Sequence, residues 1–344
     1  MLRIFLTGAA GLIGGEVAAR LLTAGHSVTA LVHNNRNIRA NDNSEVHPTE
    51  VVSGDVSQPL FGWKKSEWDR LTASHDLLIH CAATVRFDLD DETYRTVNTG
   101  GAANAVEFAR SGDMPILHVS TAYVCGTRNG PILESDPVPS QGFANGYEAS
   151  KASAEKLVRA SGVPFAIARP SIVVGESDSG MIRQFDTTYA AFKLIAEGRV
   201  RHMPARSDAT LDFVPLDHVA AGIVALAQNM RRAQGGAYHL VSGRPIPVGF
   251  FTDAIASFPQ FHRPSLVEPD GFDPSELPAL ERRLYKRVAG LYASYFQRNP
   301  EFDDRTAQEM TGLVCSPTGA EFLHRLISYC IKVGFLSGEQ VPQE

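Results

Sequence analysis

A chain of 344 residues, 44% hydrophobic and 20% charged, is long enough for one large core or two closely joined ones, and too apolar to stay unfolded. Its net charge of −6 gives no footing for nucleic acid, and no apolar run approaches the ~20 residues that an integral membrane segment needs. Four cysteines (Cys81, Cys125, Cys315, Cys330) form no CxxC pair and eleven histidines show no ligand spacing, so neither a metal nor a disulfide framework is expected. The thiol count suits a reducing cytosol, and the first strand begins at once with no room for a signal peptide. A cytoplasmic location is therefore expected.

Strand-like runs at Arg3–Leu6, Ser27–Val32, Glu50–Ser53, Leu77–His80, Ile116–Val119 and Phe165–Ala168 alternate with helical patterns near 12–24, 66–72, 89–110 and 147–160. Such alternation predicts an α/β fold with a parallel sheet covered on both faces, and ligands at the carboxyl ends of its strands. After residue 175 the rhythm breaks. A loop and one helix (Phe185 to Gly198) lead into a basic turn with Arg199, Arg201, His202 and Arg206. A helix over Asp217–Gln228 and a strand over Ala237–Val241 read as a return to the sheet. Residues 245–283 read as proline-rich and irregular. The helix Phe322–Val333 carries apolar residues at 322, 323, 326, 327, 330 and 331, a stripe expected to pack on its own domain. Residues 1–175 and 208–247 are thus expected to form one domain. Residues 176–207 and 248–344 are expected to form a smaller, mainly helical C-terminal substrate domain over the crevice.

The turn Thr7-Gly8-Ala9-Ala10-Gly11-Leu12-Ile13-Gly14 joins an apolar strand to a helix running through Val17, Ala18, Leu21 and Leu22. Glycines there let backbone approach a pyrophosphate while the helix N-terminus faces its charge. This predicts a Rossmann-type doubly wound sheet that binds a dinucleotide through Gly8, Gly11, Leu12, Ile13 and Gly14, although the usual spacing is Gly-x-Gly-x2-Gly. The second strand ends in Val32-His33-Asn34-Asn35-Arg36. An acidic residue there would bind both ribose hydroxyls of NAD, and none is present. Arg36 or Arg39 can pair with a 2′-phosphate beside His33, so NADP (as NADPH) is expected over NAD.

Tyr147-Glu148-Ala149-Ser150-Lys151 sets a phenol and an ammonium one helical turn apart, and a nearby cation favours the phenolate. Tyr189 and Lys193 repeat the spacing, but among Phe192, Leu194 and Ile195 they read as a packed helix. Ser120-Thr121 ends the strand Ile116–Val119, where a hydroxyl would face the same crevice as the glycine turn.

Glycine turn, strand-end hydroxyl and Tyr/Lys pair in this order resemble the extended short-chain dehydrogenase/reductase superfamily, whose turn reads Thr-Gly-x2-Gly-x2-Gly. The resemblance implies catalysis by Thr121, Tyr147 and Lys151, with Thr121 chosen over Ser120 by aligning Val124-Cys125-Gly126 with the family's Val-Tyr-Gly. It implies that Asp55 and Val56 hold the adenine and that Ala82 and Ala83 pass close to a ribose. Lys151 would hold the nicotinamide ribose and depress the Tyr147 pKa, and Pro170, Ser171 and Ile172 would meet the carboxamide.

More local text is similar to the branch of fatty acyl reductases and of the terminal reductase domains of carboxylic acid reductases and peptide synthetases. It comprises Ala82-Ala83-Thr84-Val85-Arg86-Phe87-Asp88, His118-Val119-Ser120-Thr121-Ala122-Tyr123-Val124, Arg169-Pro170-Ser171-Ile172-Val173-Val174-Gly175 and Asp212-Phe213-Val214-Pro215-Leu216-Asp217-His218-Val219-Ala220. The likeness spans about residues 2–245 and fades beyond. It implies an NADPH-dependent thioester reductase that turns an acyl-thioester into an aldehyde and a free thiol, with a second hydride leading on to the alcohol. Val85, Phe87 and Tyr123 would touch the substrate. These 344 residues hold no adenylation or carrier domain, so the acyl group is expected on coenzyme A or on a separate acyl or peptidyl carrier protein. Two basic clusters (Arg199, Arg201, Arg206; Arg282, Arg283, Lys286, Arg287) would meet its phosphates or acidic surface. The alternatives are a 3β-hydroxysteroid or flavanonol-type ketone or alcohol dehydrogenase, and an epimerase/dehydratase-like nucleotide-sugar enzyme.

Overall fold

Apolar runs with no polar face become strands buried on both sides, and seven of them form the central sheet of the computed structural model, which describes residues 1–337. The strands are β1 (Arg3–Thr7), β2 (Ser27–Val32), β3 (Glu50–Ser53), β4 (Leu77–His80), β5 (Ile116–Val119), β6 (Phe165–Pro170) and β7 (Ala237–Leu240). They lie side by side as β7-β6-β5-β4-β1-β2-β3, every neighbour parallel. The chain winds outward from β1 in one direction and from β4 in the other. The switch between β1 and β4 opens a crevice at the strands' carboxyl ends, where such folds bind ligands.

Side-chain alternation divides the core. Ile4, Leu6, Leu117 and Val119 face α1 (Leu12–Thr23) and the later helix Leu216–Gln228. Phe5, Leu78 and Ile116 face α2 (Lys65–Thr72), α3 (Gly101–Ser111) and α4 (Gly146–Ala160). The start of α4 is fixed by a reciprocal cap: the Asn145 side-chain Oδ1 accepts the Glu148 N–H at 2.9 Å, and the Glu148 carboxylate accepts the Ala144 N–H at 3.1 Å. Tyr147 is thereby held in the first turn of that helix.

A third cluster lies beyond the carboxyl ends of the strands. It joins Tyr123 and Val174 to α5 (Thr187–Ala196) and to the helices α6 (Val248–Ala256), α7 (Ala279–Arg287) and α8 (Ala320–Lys332). The expected stripe on α8 is buried at Phe322, Leu323, Leu326, Ile327 and Cys330. Ala307, in the helix Arg305–Thr311, joins the sheet-side cluster instead. The segment 245–283 is not the irregular stretch expected from its prolines, because α6 lies within it. Gly249, Phe250, Phe251 and Thr252 are weak helix formers, yet Val248, Phe251 and Ile255 are buried at helical spacing, so packing overrides propensity. Among the described residues no helix is long and apolar enough to cross a membrane, and no group of three or more His, Cys, Asp or Glu side chains could hold a metal ion.

Candidate active site

The turn after β1 is shaped for glycine. Gly8 has φ +73°, and a Cβ there would stand 2.6 Å from the Ala82 nitrogen after β4. A Cβ at Gly14 would meet the Gly8 oxygen at 2.1 Å. Gly11 caps α1 without any side-chain acceptor, so the helix presents unbonded N–H groups to whatever lies in front of it. Close backbone approach, a bare helix N-terminus and a crevice beyond it fit the pyrophosphate of a dinucleotide.

A cavity of about 380 Å³ opens from this turn. Of the residues singled out from the sequence, it is lined by Gly8, Gly11, Leu12, Ile13, Gly14, Ala83, Val85, Phe87, Thr121, Tyr123, Tyr147, Lys151, Pro170, Ser171 and Ile172. The remaining five lie elsewhere. Ala82 abuts Gly8 of the glycine turn, with its N–H on the Thr7 hydroxyl at 3.3 Å. His33 and Arg36 are exposed after β2, with the His33 ring 3.8 Å from Asp55. Asp55 accepts the Ser57 N–H at 2.9 Å, and Val56 packs against Gly101 of α3.

Thr121 caps the short turn Ala122–Cys125, accepting the Tyr123 N–H at 3.3 Å and donating to the Pro170 carbonyl at 3.3 Å, and it lines the cavity together with Tyr147. Tyr147 stacks on Phe87 with ring centroids 5.4 Å apart. Desolvation, and then the neighbouring Glu148 carboxylate, push the Tyr147 phenol well above its usual pKa, while the Thr121 hydroxyl pulls slightly the other way. Lys151 is buried, donates to the Val119 carbonyl at 2.7 Å, and is pulled down to about 8 by burial. The expectation that Lys151 depresses the Tyr147 pKa is therefore corrected. The ammonium is turned to the end of β5, and loss of water around the phenol outweighs it. Tyr147 keeps its proton and is suited to donate it. Ser171 reaches the cavity wall, but its hydroxyl donates to the buried Asp212 at 2.5 Å.

Residues that no motif marked complete the surroundings. Arg298 and Glu148 form a buried ion pair at 2.5 Å, with side chains 4% and 0% exposed. The guanidinium also donates to the Gly126 carbonyl at 2.9 Å and stacks over Tyr123 and Tyr295. Tyr292 and Tyr295 in turn pack on Phe87 at 4.9 and 5.9 Å. One local signal was available, an acid placed directly after Tyr147 in a helix's first turn; nothing near Arg298 pointed to it.

The second Tyr/Lys pair is spent on packing. The Tyr189 hydroxyl accepts the Gly175 N–H at 3.0 Å, and Lys193 donates to the Phe335 carbonyl and pairs with Glu197 at 3.0 Å. The basic clusters also differ from each other. Arg199 pairs with Glu197 and Arg206 with Asp208, while Arg201 donates to the Gly198 carbonyl. In the other cluster Glu281 is buried beneath the backbone N–H groups of Arg201 and His202, leaving Arg283, Lys286 and Arg287 exposed just before Ala289 of the cavity wall.

Residues 6–223 match the family model described as male sterility protein. A hybrid PKS-NRPS synthetase of Talaromyces variabilis is 29% identical over 236 residues, which is 65% of this chain and 6% of that protein. L-2-aminoadipate reductase of Schizosaccharomyces pombe is 26% identical over 396 residues, 99% of this chain and 28% of that protein. The chain thus spans a small part of the curated relatives it matches. The crystal structure of the terminal R domain from the myxalamid PKS-NRPS biosynthetic pathway superposes with a TM-score of 0.83 at 27% identity, covering 98% of this chain and 92% of that one. With that likeness and a family model matched over more than half its length, the chain belongs to the male sterility protein family, in the thioester-reductase branch of the extended short-chain dehydrogenase/reductases, and is an NAD(P)-dependent oxidoreductase.

Proposed function

We propose that the chain reduces an acyl-thioester with NADPH, releasing an aldehyde and a thiol. The observation that supports this best is the meeting of Thr121, Tyr147 and Lys151 with the glycine turn in one cavity whose far wall is apolar, built from Phe192, Met203, Phe251 and Leu323. When bound, the cofactor supplies hydride to the thioester carbonyl carbon. Tyr147, still protonated, and Thr121 hydrogen-bond the carbonyl oxygen, and Tyr147 gives it a proton as negative charge develops. Lys151 holds the nicotinamide ribose. The hemithioacetal left on the substrate then loses its thiol to give the aldehyde, so one hydride and one proton are consumed per thiol released.

Further parts of the reading rest on position. Val85, Phe87 and Tyr123 flank the entering acyl group, and residues 176–207 and 248–344 act as the substrate-binding part, of which 338–344 lie outside the described residues. The preference for NADPH rests on the missing acid after β2 and on Arg36 and Arg39 near the adenosine end. A carrier protein or coenzyme A docks at the exposed Arg283, Lys286 and Arg287, where Asp273 bears on Lys286 alone, rather than at the paired Arg199 and Arg206. The test is a screen of NADPH oxidation on acyl-coenzyme A and acyl-carrier thioesters, free ketones and nucleotide sugars. Consumption confined to thioesters is expected. Turnover of a ketone with no thioester reduced would replace this reading by the steroid-dehydrogenase-like one.

A further inference from the structure

Arg183 stands in the loop that leads from Gly175 towards α5, and it turns back over the glycine-rich turn. Its Nη2 donates to the Gly11 carbonyl at 3.2 Å, while its Nε is buried without a partner. The loop is pinned there by Asn41, which accepts the Arg183 backbone N–H at 2.9 Å. Asn41 also donates to Glu176 at 3.0 Å and to the Met181 carbonyl at 2.9 Å. Its own N–H is held by Glu16 of α1 at 3.0 Å. The next residues of the loop, Gln184 and Asp186, line the cavity. Arg183 thus sits at the rim where the glycine turn and the cavity meet.

Its charge is uncompensated. Among the described residues no carboxylate pairs with it, and the neighbouring charge that bears on it is Arg39, of the same sign. Arg39 lies on the other side of α1's first turn, where its carbonyl oxygen would stand 2.1 Å from a Cβ on Gly15. The Arg39 guanidinium is bonded to the Asn43 carbonyl at 2.7 Å, but Arg183, with a buried N–H left unbonded and a like charge for its neighbour, is costly to keep unless an anion completes it. The polyanion that this family brings to that place is the dinucleotide.

We propose that Arg183, backed by Arg39, is a ligand of a dinucleotide phosphate, closing over it from the cavity side while α1 holds it from the sheet side. A guanidinium fork suits a phosphate better than a point charge does. The loop carrying it runs on into the cavity wall through Gln184 and Asp186. This inference rests on NAD(P) binding and not on the identity of the acyl substrate.

The test is the affinity of the full chain for NADPH and for NADH, by titration of the nicotinamide fluorescence, in native protein, Arg183→Gln and Arg183→Lys, with melting temperature as the check on folding. Gln keeps a donor for the Gly11 carbonyl and removes the charge. Arg183→Gln should weaken binding about 10- to 100-fold at unchanged melting temperature, the range for a hydrogen bond to a charged group. Arg183→Lys, which keeps the charge, should fall between. Equal losses for both cofactors place the contact on the pyrophosphate; a loss confined to NADPH places it on the 2′-phosphate. Affinities unchanged whether residue 183 is Arg, Lys or Gln would overturn the proposal.

Discussion

Two helices of this molecule present a tyrosine and a lysine one turn apart, and their surroundings separate them. In α4, Tyr147 faces the cavity beside Thr121, and Lys151 reaches the end of β5. In α5, Tyr189 is bonded to the Gly175 backbone, and Lys193 is committed to Glu197 and Phe335. Spacing makes a pair possible on any helix. Tyr189 reaches the same cavity, but its hydroxyl is taken by the Gly175 N–H, whereas the Tyr147 phenol stands near Thr121 on a helix that starts at a fixed cap. The second pair is surrounded by cluster residues such as Ile195 and Leu323, with its polar atoms already satisfied.

The largest effect is expected from deleting each phenolic hydroxyl in turn. Tyr147→Phe should lower kcat by roughly 10²- to 10⁴-fold, the usual contribution of a positioned acid, with NADPH affinity nearly intact. Tyr189→Phe should cost little turnover and show instead as lost stability, because the Gly175 N–H loses its acceptor. Steady-state kinetics on both variants decides it, and a reversal of the two would move the active centre to α5.

Next in size is the ion pair behind Tyr147. Arg298→Met leaves the Glu148 charge buried and unpaired, which typically costs about 3–5 kcal/mol, whereas the double change Glu148→Gln with Arg298→Met should recover most of that. Lys193→Met removes a partly exposed pair, worth ~0–1 kcal/mol. Denaturant midpoints for the three proteins check the order, and an Arg298→Met chain as stable as the native one would remove the pair from the account.

A smaller effect should follow pH. Lys151 in the folded chain loses its proton at about 8 instead of the ordinary 10.5. Between those values the unfolded chain binds the extra proton, so this group's contribution to stability rises with pH while the cation is lost from the site. The expected kcat/KM therefore falls as pH passes about 8, with no loss of melting temperature from this residue. A flat profile to pH 10 would mean that the charge on Lys151 is not needed.

The same contrast explains what could be read from the chain alone. The strands β1 to β6 and the helices between them were legible because alternation and the glycine turn are local signals, and Thr121, Tyr147 and Lys151, picked by their order along that frame, meet in one cavity. Beyond residue 175 the signals become non-local. Glu148 and Arg298 are 150 positions apart and meet only in the fold. Helix α6 is made of weak helix formers held by burial. The basic clusters looked alike in sequence; their difference lies in Asp208 and Glu197 on one side and the burial of Glu281 on the other. Arg183 carried no motif, and its significance is its place over Gly11.

The most direct test of the central claim is to follow thiol release and NADPH oxidation together in one mixture of enzyme and an acyl-coenzyme A thioester. Native chain and Tyr189→Phe should release thiol with one NADPH oxidised per thiol, or two if the aldehyde goes on to alcohol, and Tyr147→Phe should do neither. Thiol release undiminished in Tyr147→Phe, or NADPH oxidation by the native chain with no thiol appearing, would contradict it.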